Sequence, residues 1–262
     1  MCEYLCIDES IIRFKGRSTL KQYNLMKPIK PGYKLWCLSN DMGYIYKTII
    51  YTGKGDTQTV NDRRRELGLG GDVVMSLLDV VSKPKHKVFF DNYFSSIPLI
   101  EILKSKDILA CGTIRNTRKD FPQLLEDKCM KRGDFDYRST PQGITVYKWK
   151  DSKSVNFISN YHGVIMPTVQ RKEKDGSKVI VSCPDVVSDY NEHMGGVDKH
   201  DMLRNLYGTD RKYKKWWHRI FFGIIDMAII NTYLLYVNNA CNKPITLLNF
   251  YREVAQGLMT FS

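Results

Sequence analysis

One stretch, from about residue 71 to 115, restricts the fold more than any other, because helical and strand-like segments alternate in it with a stop signal at each join. Val73, Val74, Leu77, Leu78 and Val81 recur at spacings of three and four, which predicts a helix over 71–82 closed by Pro84. KVFFDN at 87–92 follows, a compact apolar strand that stops on an acid. Ser95-Ser96 ahead of Ile97-Pro98 supplies a cap and a first-turn proline for a helix to about residue 106, and LACGTIR at 109–115 returns as a strand. Strands alternating with helices predict an α/β fold with some parallel pairing in its sheet.

Upstream, residues 4–7, 33–38 and 44–51 read as strands, and Asn40-Asp41-Met42-Gly43 between the last two is hairpin chemistry. GLGG at 68–71 lacks the Lys-Ser/Thr of a phosphate loop and reads as a turn into a helix. Between 121 and 185 the runs ITVYKW, VNFISNY and KVIVSC are broken by Gly, Pro, Asp and Ser clusters, which predicts a β-rich insertion. From 191 onward the chain reads as helical, with a long segment over 212–238 and an amphipathic one over 246–258. The expected organisation is a core in two parts, 1–120 and 186–262, around an insertion at 121–185.

Forty Lys and Arg against 28 Asp and Glu leave a net charge of +12, which points to an anionic partner. With 43% hydrophobic residues, the chain is globular and not a disordered basic tail. Its seven cysteines are an odd number without a C-x-x-C pair, so no zinc site or disulfide framework is expected and the compartment is a reducing one. MCEYLCIDES is not read as a signal peptide. The apolar run 221–237 carries Asp226 and Asn231, so it reads as a buried core helix, and no membrane partner is expected.

Three acids stand where this organisation would expose them together. Asp8 is expected to end the first strand, Asp91 ends KVFFDN, and Asp198 opens a helix in MGGVDKHD with Asp201 three residues on, on the same helix face. Carboxylates at strand ends can converge at a sheet edge and hold two Mg²⁺ or Mn²⁺ ions about 3.5–4 Å apart for an in-line phosphoryl transfer. The plainer reading is that aspartate is ordinary at strand ends and in first helical turns. Arg211, Lys212, Lys214, Lys215, His218 and Arg219 in RKYKKWWHR, with Lys15 and Arg17 in FKGR, form the phosphate-facing cations, while Trp216 and Trp217 are expected to be mostly structural. His193 and His200, flanking the third acid, read as part of a solvated polar helix.

The segments IDESIIRFKGR, YTGKG, FFDNYFSSIPL, ACGTIR, GGVDKHDM and RKYKKWWHRIFF, in this order, resemble the core of the piggyBac transposases and the domesticated proteins derived from them. The resemblance implies a ribonuclease H-like mixed sheet with flanking helices and the β-rich insertion between the second and third acids. It also implies that Asp8, Asp91 and Asp198 bind Mg²⁺ or Mn²⁺, with Asp201 as a further acid of the catalytic set. The family cleaves DNA at transposon ends, through a hairpin intermediate, and inserts at TTAA sequences, which implies a nuclear location and admits a homodimer. Family transposases carry a DNA-binding and dimerisation region ahead of the first acid and commonly a Cys/His-rich zinc domain at the end. Here seven residues precede Asp8 and no such cluster follows, so a catalytic core is expected. A protein of another class, a non-enzymatic DNA- or chromatin-binding derivative, is the alternative.

Overall fold

The structure, a computed structural model, describes residues 1–25, 29–53, 62–82, 85–172, 176–209, 211, 215–239, 241 and 243–260, with the side chains at 62–64 and 171–172 left aside. It divides into two compact units, Met1–Ile7 with Thr57–Met194, and Asp8–Asp56 with Gly195–Ser262. The β-rich stretch belongs to the first unit, and residues 8–56 belong with the C-terminal helices.

In the first unit, the start of β1 (Tyr4–Arg13) pairs in parallel with β5 (Lys87–Phe90), which pairs in parallel with β6 (Leu109–Thr113). Val88, Phe89 and Phe90 are fully buried. A strand covered on both faces needs a continuous apolar run and not an alternating one, which is what KVFF supplies. The β-rich stretch continues the same sheet in antiparallel order. β9 (Ser154–Ser159) pairs with β6, β8 (Thr145–Lys150) with β9, and β7 (Phe135–Ser139) with β8. A separate hairpin is formed by β10 (Thr168–Lys172) and β11 (Lys178–Ser182).

The helices of this unit follow their local signals. α1 (Asp62–Leu78) is interrupted at Gly68, whose φ of 70° is left-handed, so GLGG is indeed a break between helical pieces. It stops at Leu78, earlier than the periodicity predicts. α2 (Ile97–Ser105) is capped by Ser96, whose side chain accepts from Leu99 N, with Pro98 in the first turn. α3 (Asp185–His193) carries Asp189, which accepts from Tyr161 Oη at 2.8 Å and His162 Nε2 at 3.0 Å and pairs with His193 Nε2 at 3.4 Å. Because a carboxylate accepts, His162 Nε2 carries the proton, and its Nδ1 faces Ser159 Oγ at 2.8 Å. Ser159 is fully buried, and its Oγ also accepts from Tyr161 N and His162 N, so this chain of groups is a closed structural network. His193, expected in solvent, is buried with its ring stacked on Tyr4, centroids 3.7 Å apart.

In the second unit, β1 continues through Asp8 to Arg13, with β3 (Pro31–Asn40) beside it, β2 (Gln22–Tyr23) on β3, and β4 (Ile45–Ile50) also pairing with β3. Asp8 therefore lies within a strand and does not end it. Buried Ser10, Ile11 and Ile12 extend the strand past a polar triplet that breaks its apolar run. The β3–β4 hairpin forms as expected, with Gly43 at φ 99° and Asn40 Oδ1 accepting from Tyr44 N at 2.7 Å.

Among the described residues, three helices complete this unit. They are α4 (Gly196–Tyr207), α5 (Trp216–Asn238) and the amphipathic α6 (Leu247–Thr260). Ile230, Leu234 and Leu247 form a core cluster against which Tyr44, Leu203, Tyr233 and Tyr251 pack. α5 corrects the expectation of a buried core helix, because only one face is covered. Ile220, Gly223, Met227, Ile230 and Leu234 are buried, while Trp217, Phe221, Ile224 and Leu235 are exposed. By length and composition α5 could cross a membrane, but its acid is committed inside the unit: Asp226, 4% exposed, accepts from Thr209 N at 3.0 Å and Thr209 Oγ1 at 2.8 Å. His200, also expected in solvent, is fully buried with Nδ1 2.8 Å from Gly43 O. Burial first, and then the Arg204 charge, push it down to about 4 against the opposing carbonyl contact, so it is neutral at pH 7 with the proton on Nδ1.

Candidate active-site residues

In the first unit, the sheet register places the second acid. Ile7 pairs with Phe90, the last pair of that ladder, and in the chain the next residue after each is an aspartate. Asp91 is half-buried. Its Oδ1 accepts from Tyr93 N at 2.8 Å and its carbonyl receives Phe94 N, Ser95 N and Ser95 Oγ, so the turn after β5 fixes both ends of the residue. Arg115 Nε donates to Asn92 Oδ1 at 2.7 Å, and Arg118 Nη2 donates to Asn92 O at 2.8 Å and Tyr93 O at 2.7 Å. These two arginines brace the turn that carries the acid.

In the second unit, Asp8 is half-buried with Oδ1 accepting from its neighbour's amide, Glu9 N, at 2.7 Å. Glu9 is held by Lys34 and by Asn24 Nδ2 at 2.7 Å. Asp198 is exposed in the first turn of α4. Asp201 is differently placed. It accepts from Ser10 Oγ at 2.6 Å and pairs with the buried Arg204 at 2.8 Å.

Asp8, Asp91 and Asp198 offer carboxylate oxygens, the donor type that hard Mg²⁺ or Mn²⁺ prefers, and backbone amides orient two of the three. That donor set fits the expected ions. Among the described residues no group of three or more Asp, Glu, His or Cys side chains is arranged as a metal site inside either unit. The expected set draws Asp91 from one unit and Asp8 and Asp198 from the other.

The basic residues divide. Lys15, Arg17, Arg211 and Lys215 are exposed, and Lys212 and Lys214 lie outside the described residues. His218 is half-buried with its ring tilted on Trp217, centroids 3.9 Å apart. Arg219 turns inward, donating from Nε to Arg13 O at 2.7 Å and from Nη1 to Thr209 O, so it braces the unit. Trp216 and Trp217, expected to be mostly structural, are 44% and 46% exposed. They are available for stacking, although Trp216 also lies 6.2 Å from the Tyr33 ring.

Residues 2–233 match the family profile described as Transposase IS4. The chain is 30% identical over 259 residues to PiggyBac transposable element-derived protein 3 of Homo sapiens, covering 96% of this chain and 43% of the relative. It is 32% identical over 263 residues to PiggyBac transposable element-derived protein 2 of Homo sapiens, covering 97% and 44%. The chain thus spans less than half the length of these curated relatives. A cryo-EM structure of a piggyBac transposase synaptic complex with hairpin DNA superposes with a TM-score of 0.79 at 26% identity, covering 96% of this chain and 51% of that one. The fold is the ribonuclease H-like one of that catalytic domain.

Proposed function

The chain belongs to the piggyBac-type transposase family, and on that footing we propose that it is the catalytic core of a DNA transposase, or of a protein derived from one. It cleaves phosphodiester bonds and transfers strands at transposon ends with Mg²⁺ or Mn²⁺. The observation that carries this reading is the parallel pairing of Ile7 with Phe90, each followed in the chain by an aspartate. Bound by these acids, two such ions would supply activation of water or a 3′-hydroxyl and neutralisation of charge at the phosphoryl group. Asp8 and Asp91 present carboxylates whose orientation is set by Glu9 N and Tyr93 N, and Asp198 contributes from the first turn of α4. Asp201 supports the set through its contacts with Ser10 and Arg204.

DNA is the partner, in a nuclear setting, with TTAA as the family's target and a homodimer as the family's assembly. Support comes from the family membership, from the DNA held by the superposed transposase complex, and from the exposed Lys15, Arg17, Arg211 and Lys215. The test is nicking of transposon-end DNA with and without Mg²⁺, comparing wild type with Asp91→Ala. Equal nicking by both defeats the catalytic reading, as does no nicking by either when the remainder of a full-length relative is supplied in trans. Either result favours the non-enzymatic DNA-binding alternative, which the exposed Trp216-Trp217 pair beside Lys215 serves equally well. That alternative shows a steep salt slope and no need for Mg²⁺.

A further inference from the structure

Asp8 and Ser10 are two residues apart on β1, so their side chains leave the same face of the strand, about 6.6 Å apart along it. Asp198 and Asp201 are three apart on α4, where residues at that spacing are neighbours on one helix face. Strand and helix are joined one step away from the two outer acids. Ser10 Oγ donates to Asp201 Oδ1 at 2.6 Å. Arg204 Nη2 reaches the same oxygen at 2.8 Å, Ser10 Oγ at 3.1 Å and Ile11 O at 3.0 Å. Arg204 is 4% exposed and Ser10 is fully buried, so this cluster is built into the unit and is not a surface ion pair.

An oxygen that already receives a hydroxyl and a guanidinium is a poor ligand for a further cation, and the Arg204 charge offsets the carboxylate it touches. We propose that Ser10, Asp201 and Arg204 form a clamp that sets the strand of Asp8 against the helix of Asp198. In it Asp201 and Arg204 are positioning residues and not metal ligands. This rests on the reading that Asp8 and Asp198 hold metal.

The test is Mn²⁺ binding to the full chain, followed by electron paramagnetic resonance and calorimetry, with a thermal melt of every variant. Asp198→Ala should lose binding. Asp201→Asn, which keeps an acceptor for both donors but removes the charge that offsets Arg204, should still bind Mn²⁺ and be weakened far less than Asp198→Ala. Asp201→Ala and Arg204→Met should weaken Mn²⁺ by about tenfold or more, the usual cost of losing an outer-shell partner, with Arg204→Lys recovering part. Should Arg204→Met alone not fold, the neutral pair Arg204→Met with Asp201→Asn takes its place, with the same weakening expected. Asp201→Asn as damaging as Asp198→Ala makes Asp201 a ligand and overturns the inference, as does unchanged Mn²⁺ affinity in folded Arg204→Met or in the pair. Mn²⁺ binding that ignores both Asp8→Ala and Asp198→Ala overturns the metal-site reading itself, and the inference falls with it.

Discussion

Gly112 is the position at which one added methyl group should do most harm beside the proposed site. It sits on β6 opposite Phe90 of β5, one residue before Asp91 in that strand's direction. A Cβ built there would lie 2.6 Å from Ser95 Oγ, 2.7 Å from Phe90 O and 2.9 Å from Phe90 Cδ2. None of these can retreat cheaply, because Phe90 and Ser95 are fully buried and Ser95 Oγ holds the Asp91 carbonyl at 3.1 Å. Overpacking of this kind costs about 1–3 kcal/mol, against a gain of about 0.4–1 kcal/mol from the stiffer unfolded chain. With both figures near the middle of their ranges, the net expectation for Gly112→Ala is a loss of about 1–2 kcal/mol, and more where both strands must move. At about 2–4 °C per kcal/mol for a domain of this size, the melting temperature should fall by about 2–8 °C. Gly163, in the same unit, has nothing within 4 Å of an added Cβ and is the control, with Gly163→Ala staying within about 0.5 kcal/mol. Circular-dichroism melts combined with hydrogen exchange on the β5 and β6 amides separate the two. A melting temperature for Gly112→Ala equal to or above wild type would falsify the close-approach argument.

The buried Asp226 should be costly to remove, because Asp226→Ala strips both acceptors from Thr209; a loss of about 2–4 kcal/mol in urea unfolding is expected, and a loss below 1 kcal/mol counts against the pairing. At Asp189, burial alone would raise the carboxyl, but hydrogen bonds from His162 and Tyr161 and the nearby histidine charges hold it below the usual carboxylate range. A depressed folded value stabilises above the unfolded value of about 3.9 and loses that stability as pH falls through the folded value. Asp189→Asn should therefore melt lower at pH 7 and show a flatter decline below about pH 4. If its acid limb parallels wild type, another group carries the titration. For the exposed Arg211 and Lys215, alanine substitution should reduce the salt slope of DNA binding by about one each, evenly across sequences. Arg219→Ala should lower the melting temperature instead, since its donors are spent on Arg13 O and Thr209 O.

The helix–strand–helix–strand run at 71–115 was legible because each element there carries its own signal: spacing in α1, a doubly buried apolar run in β5, and a serine cap with proline in α2. The end of β1 was not, because Asp8, Glu9 and Ser10 have poor strand propensity, and it is pairing with β3 and burial of Ile11 and Ile12 that carry the strand onward. The acids themselves were legible by position and family motif, but their surroundings were not. Arg204 looks like a surface residue on a polar helix, and only the fold reveals that it is buried against Ser10 and Asp201. The same holds for His193 and His200. A lone histidine has no sequence signature that separates a solvated ring from one stacked on Tyr4 or bonded to Gly43.

The apolar run of α5 poses a physical question that its polar residues answer. A helix apolar on nearly all sides gains from burial whichever face it turns inward, because the hydrophobic effect is non-directional. At about 100° per residue, the buried Ile220, Gly223, Met227, Ile230 and Leu234 all fall inside an arc of about 140° bounded by Asp226 and Asn231. Both boundary residues are tied to main-chain groups, Asp226 to Thr209 N and Asn231 to both the amide and the carbonyl of Ile45, at 2.9 and 2.8 Å. Turning the helix to bury Phe221 and Ile224 instead would carry Asp226 out of reach of Thr209 and leave Ile45 unpaired on both its groups. Each such loss costs about 1–3 kcal/mol, comparable to the gain from covering one large apolar side chain. The polar pair therefore selects one of several nearly equivalent apolar faces, and the residues that made the segment look least like a uniform core helix are those that fix its rotation.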